Sequence, residues 1–278
     1  MNNVDIDSGP ASIHAFNAMA AMAESYAEKQ HRAVRTLRKP KGIFDNALAF
    51  DTALLKSALF RAGTGTREVY ATRAPVPAHG TTKVYFTGEE LRQDDQRVLL
   101  MLVKSRFGKP VNDVIEFVPR TFVRDVLQWP DSGGSVKKLR SCIKRLKRAS
   151  VDVEYFGGGE GSYSFVTDYE IEKRKNCWSI WLSSRLVDMF ERARTTFIDE
   201  GKRLGLGDNF ASWLYTFIKA DACFAPIETA HLRAWSGLDS YEQKNFNRKL
   251  RAELEKLQAE GVVARFEIKG ARLTLRKG

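Results

Sequence analysis

Long apolar runs and closely spaced cysteines are missing from this 278-residue chain. No stretch approaches the ~18 apolar residues that a transmembrane helix needs, and no cationic start leads into an apolar segment at the N-terminus, so neither a membrane contact nor a signal peptide is expected. The three cysteines, Cys142, Cys177 and Cys223, are too far apart to suggest a disulfide framework or a zinc site. These absences favour a cytoplasmic protein in a reducing compartment.

Catalytic signatures are missing as well. No Gly-x-x-x-x-Gly-Lys-Ser/Thr sequence occurs, so a P-loop ATPase is not expected, and the four histidines are too scattered to suggest a metal nuclease or a strand-nicking relaxase. Asp94 and Asp95 could hold a metal ion, but adjacent acids also suit the N-terminus of a helix, which is the interpretation we prefer. We therefore expect no enzymatic activity, catalytic residue, metal or cofactor.

The charge of the chain is strongly one-sided. The formal net charge is +11 and the isoelectric point is near 9.6, which favours a polyanionic partner. A hydrophobic content of 43%, with 11% aromatic residues, is ordinary for a folded protein.

Residues 137–148 carry seven positive charges in twelve positions and no acidic residue. Apolar residues recur there in steps of three and four, which predicts one buried stripe on a helix: Val136, Leu139, Ile143 and Leu146. The outward side then carries the candidate DNA-binding residues Lys137, Lys138, Ser141, Lys144, Arg145 and Arg148. Such a helix suits the DNA major groove, which is about 12 Å wide. A solvated cationic face is the alternative.

The order of the predicted elements suggests a helix-turn-helix followed by a β wing, occurring twice. In the first copy we expect a loop or edge strand over 61–82, helices over 94–106, 120–128 and up to 149, and strands over 84–86, 114–118, 151–156, 163–171 and 177–182. The glycine run 157–161 would form the wing tip.

The second copy is predicted to have helices over 210–220, 228–235 and 240–260 and a hairpin over 262–268 and 272–275. Ser240 with Gln243 resembles a capping box, and Gly261 is a helix stop signal. An offset of 111 residues aligns the two copies, pairing Leu139 with Leu250 and continuing into the strands, where Val151 pairs with Val262.

The long helix of the second copy also has a polar outward face. Its candidate DNA-binding residues are Tyr241, Lys244, Asn245, Arg248 and Arg251. Arginine can pair with guanine and asparagine with adenine, whereas lysine mostly holds phosphates. Glutamates crowd the C-terminal end of the helix, so only the N-terminal part could enter a groove. Solvent-facing pairs such as Arg251–Glu255 are the alternative.

Three segments resemble plasmid replication initiators of the TrfA and RepC type. Residues 86–95 (Phe-Thr-Gly-Glu-Glu-Leu-Arg-Gln-Asp-Asp) and 57–60 (Ser-Ala-Leu-Phe) are similar to the TrfA branch, and residues 133–146 resemble the RepC branch. The TrfA branch also has a Gln-Leu-x-Leu-Phe clamp-binding motif, for which residues 42–45 are the nearest candidate although they lack the glutamine.

The resemblance implies an α+β protein with two tandem winged-helix domains: a flexible N-terminal arm (1–42), a first domain (43–183) and a second domain (184–278). Such bacterial proteins bind repeated sequences, called iterons, in double-stranded origin DNA. They open the origin, recruit the replicative helicase with other host replication proteins, and shift between monomer and homodimer. A winged-helix transcription regulator or partitioning protein without initiator activity is the alternative.

Overall fold

The computed structural model describes residues 46–155, 159–172, 174–186, 195–221 and 225–278, all of which belong to one compact unit. The predicted N-terminal arm and the clamp-motif candidate 42–45 lie outside these ranges. Within them, no helix is long and apolar enough to cross a bilayer.

The first half of the described chain mixes strands and helices. Its elements are β1 (Ala47–Asp51), α1 (Thr52–Leu55), β2 (Phe60–Arg61), β3 (Val69–Val76), β4 (Lys83–Glu89), β5 (Leu91–Arg92), α2 (Gln93–Lys104), β6 (Ile115–Phe117), α3 (Pro119–Thr121), which continues as a π-helical turn (Phe122–Val126), α4 (Gly133–Arg148), β7 (Ser150–Tyr155), β8 (Gly159–Tyr163), β9 (Val166–Glu172) and β10 (Cys177–Leu182).

The second half is richer in helix. Its elements are β11 (Thr195–Asp199), α5 (Glu200–Gly205), α6 (Phe210–Ala220), β12 (Ile227–Glu228), α7 (Thr229–Ser236), α8 (Gln243–Ala259), β13 (Val263–Lys269) and β14 (Arg272–Lys277). The predicted mixture of helices and strands is confirmed.

One order of elements occurs twice. In the first half, α2, β6, α3 and α4 lead to the hairpin β9–β10; in the second, α6, β12, α7 and α8 lead to the hairpin β13–β14. The strand orders of the two three-stranded sheets match, β6-β10-β9 and β12-β14-β13, and neighbouring strands in both are antiparallel. Each half therefore places a helix pair beside a hairpin.

The strands after α4 differ from the prediction. Residues 163–171 do not form one strand: β8 ends at Tyr163, and β9 begins at Val166 in a different sheet. Strands β7 and β8 belong to a four-stranded sheet of order β3-β4-β7-β8, in which β3 is an edge strand, in agreement with the loop or edge strand predicted over 61–82. By sheet order β13 corresponds to β9 and not to β7. The 111-residue offset is therefore wrong beyond the helices, and the glycine run is not the tip of the hairpin in the matching sheet.

Local hydrogen bonds and one glycine determine where the long helices α4 and α8 begin and end. The backbone N–H of Ser135 donates to the Ser132 hydroxyl at 3.1 Å and caps α4. The predicted Ser240–Gln243 capping box is wrong, because α8 begins only at Gln243, whose side-chain amide donates to the Thr229 hydroxyl at 3.0 Å. The stop at Gly261 is confirmed: α8 ends at Ala259, and Gly261 has φ +70°.

Asp208, in the loop between α5 and α6, ties the two halves together. Its carboxylate lies 2.6 Å from Arg97 Nε, accepts from Trp129 Nε1 at 2.9 Å and lies 3.1 Å from Lys138 Nζ. All three partners come from the first half. Since the carboxylate neutralises cations from α2 and α4 at once, it fixes the second half against both helices.

Arg203 of α5 also connects the two halves, because it belongs to the second half and its partners lie on α2 of the first. Its side chain is fully buried and donates to the Gln93 backbone carbonyl at 2.8 Å and to the Gln96 side-chain oxygen at 3.2 Å. Burial lowers the pKa of Arg203 to about 9, while the nearby Asp208 carboxylate acts against that shift. We name Asp208, Arg97, Arg203 and Lys138 the junction cluster.

A second contact between the halves holds the turn before α8. The Ala62 backbone N–H donates to the Ser236 carbonyl at 2.8 Å, and Arg61 Nη2 lies 2.9 Å from the Asp239 carboxylate. Gly237 has φ +70° and leaves room for the Arg61 side chain. A Cβ at that position would lie only 2.7 Å from Arg61 Cβ.

We predict that Gly237→Ala lowers the free energy of unfolding more than Gly261→Ala does. Both glycines have φ +70°, but nothing lies within 4 Å of a Cβ at Gly261. The matched control Gly261→Ala therefore measures only the cost of an alanine in a left-handed backbone, ~1–2 kcal/mol. Gly237→Ala adds to this a steric cost of ~1–3 kcal/mol. Urea unfolding measures both, and equal losses would contradict the proposed Arg61 contact.

Candidate nucleic-acid interface

The outward face of α4 is a row of cations with few acids near it. Lys137, Arg140, Ser141 and Arg148 are exposed and Lys144 is half-buried, while Leu139, Ile143 and Leu146 lie in the core. None of the four cations Lys137, Arg140, Lys144 and Arg148 has an acidic partner among the described residues. The predicted stripe is therefore confirmed, and so is the outward orientation of Lys137, Ser141, Lys144 and Arg148.

Arg140 belongs to this face although sequence reasoning left it out. It was counted in the charge of the segment, but no role was assigned to it. The signal that finds it is helical spacing: Arg140 lies four residues before Lys144 and three after Lys137, so it shares their side of α4.

The outward orientation predicted for Arg145 is wrong. Its side chain is only 10% exposed and lies against the N-terminal turn of α2, with Arg145 Nε 2.9 Å from an Asp95 carboxylate oxygen. The helical position of Arg145 is at the edge of the apolar stripe, and its long side chain reaches back over the core to the acid. Arg145 therefore fixes α4 on α2 and leaves the candidate DNA-binding set.

Asp94 and Asp95 lie in the first turn of α2, as the sequence predicts, and both are paired. Arg67 lies 2.9 Å from Asp94 and 2.8 Å from Asp95. Burial disfavours the charge of Asp94, but Arg67, together with Lys138 and Arg145, holds the pKa of that carboxyl below its ordinary value. Burial and the adjacent Asp94 raise the pKa of Asp95 to about 6, against the opposing attraction of Arg145.

The same acids could be taken for a metal site. Ligand atoms of Asp94, Asp95 and Cys142 lie within 4.8 Å of one another. The guanidinium groups of Arg67 and Arg145 already supply the positive charge there. Burial and the neighbouring Asp95 keep the pKa of Cys142 well above its ordinary value, so its thiol is a poor ligand. The donor set fits an arginine-bridged helix contact better than a metal ion.

Two further lysines of α4 are held by the protein. Lys138 lies 4.2 Å from the centre of the Trp129 ring and bonds to Asp208 in the junction cluster. Lys147 donates to the Thr167 carbonyl and to Asp168, both at 2.7 Å, which turns it toward β9. Lys138 is half-buried and lies at the border of the cationic face.

The five candidate residues of the α8 region are exposed: Tyr241, Lys244, Asn245, Arg248 and Arg251. Tyr241 was predicted to lie on the helix but stands in the turn before α8, which begins at Gln243. Arg248 Nη2 lies 3.4 Å from the Asn245 side-chain oxygen, so the amide and the guanidinium stand side by side one turn apart. The Arg251–Glu255 pair that the sequence allowed is not formed among the described residues. Phe246, Leu250, Leu254 and Leu257 form the buried stripe, as predicted.

The two faces differ chemically. The face of α4 consists of cations and a serine along its whole length. Helix α8 carries an asparagine among its cations, follows the exposed Tyr241 and has exposed Glu255 and Glu260 near its C-terminal end. Lysines suit phosphates, while an asparagine–arginine pair suits base edges.

We predict that Arg145→Met lowers the free energy of unfolding by about 3 kcal/mol, because it leaves the buried Asp95 with one cation fewer. Arg140→Met, on the same helix, is the matched control and should change stability by no more than ~0.5 kcal/mol, since Arg140 is exposed. Chemical denaturation measures both, and a mild effect of Arg145→Met would refute its anchoring role.

No protein-family model and no curated protein sequence matches the chain. Solved structures do. The chain is similar to the Pi initiator protein in complex with iteron DNA, with a TM-score of 0.56, 10% sequence identity and coverage of 83% of this chain and 96% of the other. It is also similar to domains 2 and 3 of RctB, with a TM-score of 0.50, 13% identity and coverage of 81% and 94%. The resemblance to replication initiators is therefore confirmed at the level of the fold.

Proposed function

We propose that this protein is a sequence-specific replication initiator that binds double-stranded origin DNA through two tandem winged-helix domains, 43–183 and 184–278. The observation that carries the proposal is the pair of outward cationic helices, α4 and α8, each following a helix and preceding strands in the same order. The shared fold supports it, since the Pi initiator is seen in complex with iteron DNA.

In this proposal the two helices have different tasks. Helix α4 binds phosphates through Lys137, Arg140, Lys144 and Arg148 and so supplies salt-sensitive affinity. Helix α8 reads bases through Asn245 and Arg248, with Lys244, Arg251 and Tyr241 fixing its position on the backbone. The junction cluster joins α4 to the second half, to which α8 belongs, so we expect both helices to contact one duplex about one helical turn apart.

The biological task follows from such binding at origin repeats. The bound protein promotes opening of the adjacent duplex and recruits the replicative helicase with other host proteins, and a homodimer acts as the inhibitory state. The described residues contribute the DNA-binding platform.

We predict that Lys144→Ala with Arg148→Ala weakens duplex binding and flattens the dependence of log K on log salt by about 0.9 for each lost phosphate contact. Lys147→Ala is the matched control, because it removes a charge from the same helix that is already paired with Asp168. Fluorescence anisotropy with duplexes from the DNA flanking the gene measures the slopes. If the control flattened the slope as much as the double variant, α4 would not be bound through this face.

Initiator activity itself is tested in cells. A circular DNA that carries the flanking region and lacks any other origin should persist when the protein is supplied, and it should be lost when the Arg248→Ala variant is supplied instead. Binding without persistence would favour a regulator that occupies the same DNA.

A further inference from the structure

A histidine of the first half lies in the contact between the halves. His79 belongs to the loop between β3 and β4, and its ring centre lies 4.8 Å from that of Trp235 on α7 and 5.8 Å from that of Phe217 on α6. Trp235 directly precedes Ser236, whose carbonyl accepts from the Ala62 backbone N–H at 2.8 Å. The imidazole therefore packs beside a hydrogen bond that joins the two halves.

The loop that carries His79 is fixed through its backbone. The His79 backbone N–H donates to the Lys56 carbonyl, and the Ala58 backbone N–H donates to the Pro77 carbonyl, both at 2.8 Å. The His79 side chain keeps 28% of its surface exposed, so protons from the solvent reach the ring. Because the loop is held in this way, a change in the charge of the imidazole must act on the residues packed against it.

The charges around His79 are balanced while the imidazole is neutral. Asp221, directly after α6, lies 3.6 Å from His79 Nε2 through one carboxylate oxygen and 3.5 Å from Lys56 Nζ through the other. Lys277 of β14 donates to the Asp221 backbone carbonyl. Protonation of the imidazole would therefore place a third cation around a single carboxylate.

The buried carboxylate also favours the opposite outcome. The Asp221 oxygen that faces His79 is buried and accepts no hydrogen bond among the described residues, so a protonated ring could donate to it. Burial of the ring nevertheless lowers the pKa of His79 below its ordinary value, and Lys56 adds to this effect, against the attraction of Asp221. The neutral ring is therefore the form that suits the contact.

A lowered pKa fixes the sign of the pH dependence. The unfolded chain, with a histidine pKa of about 6.5, takes up the proton more readily than the folded protein does. The stability that His79 contributes is therefore present above a pH of about 6.5 and is lost as the pH falls through the lowered value.

A second histidine packs on the same tryptophan. The ring centre of His231 lies 5.4 Å from that of Trp235, but His231 is exposed and belongs, like Trp235, to α7. In acid it would add positive charge beside His79. Since it packs on a residue of its own half, it provides a matched control for a histidine that packs across the contact.

From these observations we infer that His79 makes the contact between the halves acid-sensitive: its neutral ring packs on Trp235 and Phe217 and closes the contact, and protonation of the ring opens it. The inference goes beyond the proposed function, because it concerns how the halves are held and not what they bind. Acid then weakens a contact that helps to position α8 relative to α4.

The test follows two quantities from about pH 8 to about pH 5, the range in which histidine changes its charge. One is the free energy of unfolding in urea, and the other is the hydrogen-exchange protection of the Ala62 amide, which reports the bond to Ser236. In the unaltered protein both should fall in acid. His79→Gln keeps a neutral side chain at every pH and should lose this acid-dependent fall, whereas His231→Gln should retain it.

Two variants at Lys56 test the cause on the intact ring. Lys56→Met removes the positive charge beside His79, so the NMR titration of the imidazole should move to higher pH and the fall in Ala62 protection should become smaller. Lys56→Arg keeps the charge and should behave like the unaltered protein. The His79 resonance is identified as the one that is missing from His79→Gln.

The outcomes decide the inference in either direction. Equal pH dependence of Ala62 protection in the unaltered protein and in His79→Gln would refute it, and so would a fall that disappears only in His231→Gln. A rise in protection in acid would show that Asp221 holds the charged ring, which would also refute it. If His79→Gln did not fold, the Lys56→Met and Lys56→Arg pair would decide, and identical titrations of His79 in these two variants would overturn the inference.

Discussion

The carboxylate of Asp208 is the constraint on which the arrangement of the two halves depends. It meets Arg97 and Lys138 from the first half and lies 3.9 Å from Arg203 of the second. This acid, largely out of water, compensates the buried cations Arg97 and Arg203 at once, and its removal would leave both without that countercharge. The junction therefore brings specific elements of the two halves together, since its groups come from α2, α4, α5 and the loop after α5.

This constraint has a functional consequence. Two DNA-binding surfaces joined by a flexible linker gain affinity only through the effective concentration that the linker allows. Surfaces held by a buried ion cluster are positioned in advance and bind a site of one spacing. Lys138 connects the cationic helix to the junction, since it belongs to α4 and donates to Asp208. The helix that we propose to bind phosphates is thus also a helix that contacts the second half.

Much of the interface could be predicted from the sequence because it depends on local periodicity. The stripes of α4 and α8, the stop at Gly261 and the acids that begin α2 all follow from spacing along one helix. Arg145 could not be predicted, since its partner Asp95 lies 50 residues earlier in the chain. The split at residues 163–166 was missed for a similar reason: a continuous β pattern does not reveal that its two parts pair with strands of different sheets.

The most direct measurement of the central claim is binding to a footprinted site that has been lengthened between its two protected segments. An insertion of a full helical turn, about 10 base pairs, keeps both segments on one side of the duplex. If the junction cluster holds α4 and α8 rigidly, this insertion should reduce affinity to that of a single segment, as an insertion of half a turn also does. Retention of full affinity on the site lengthened by a whole turn would show that the halves move freely and would contradict the account.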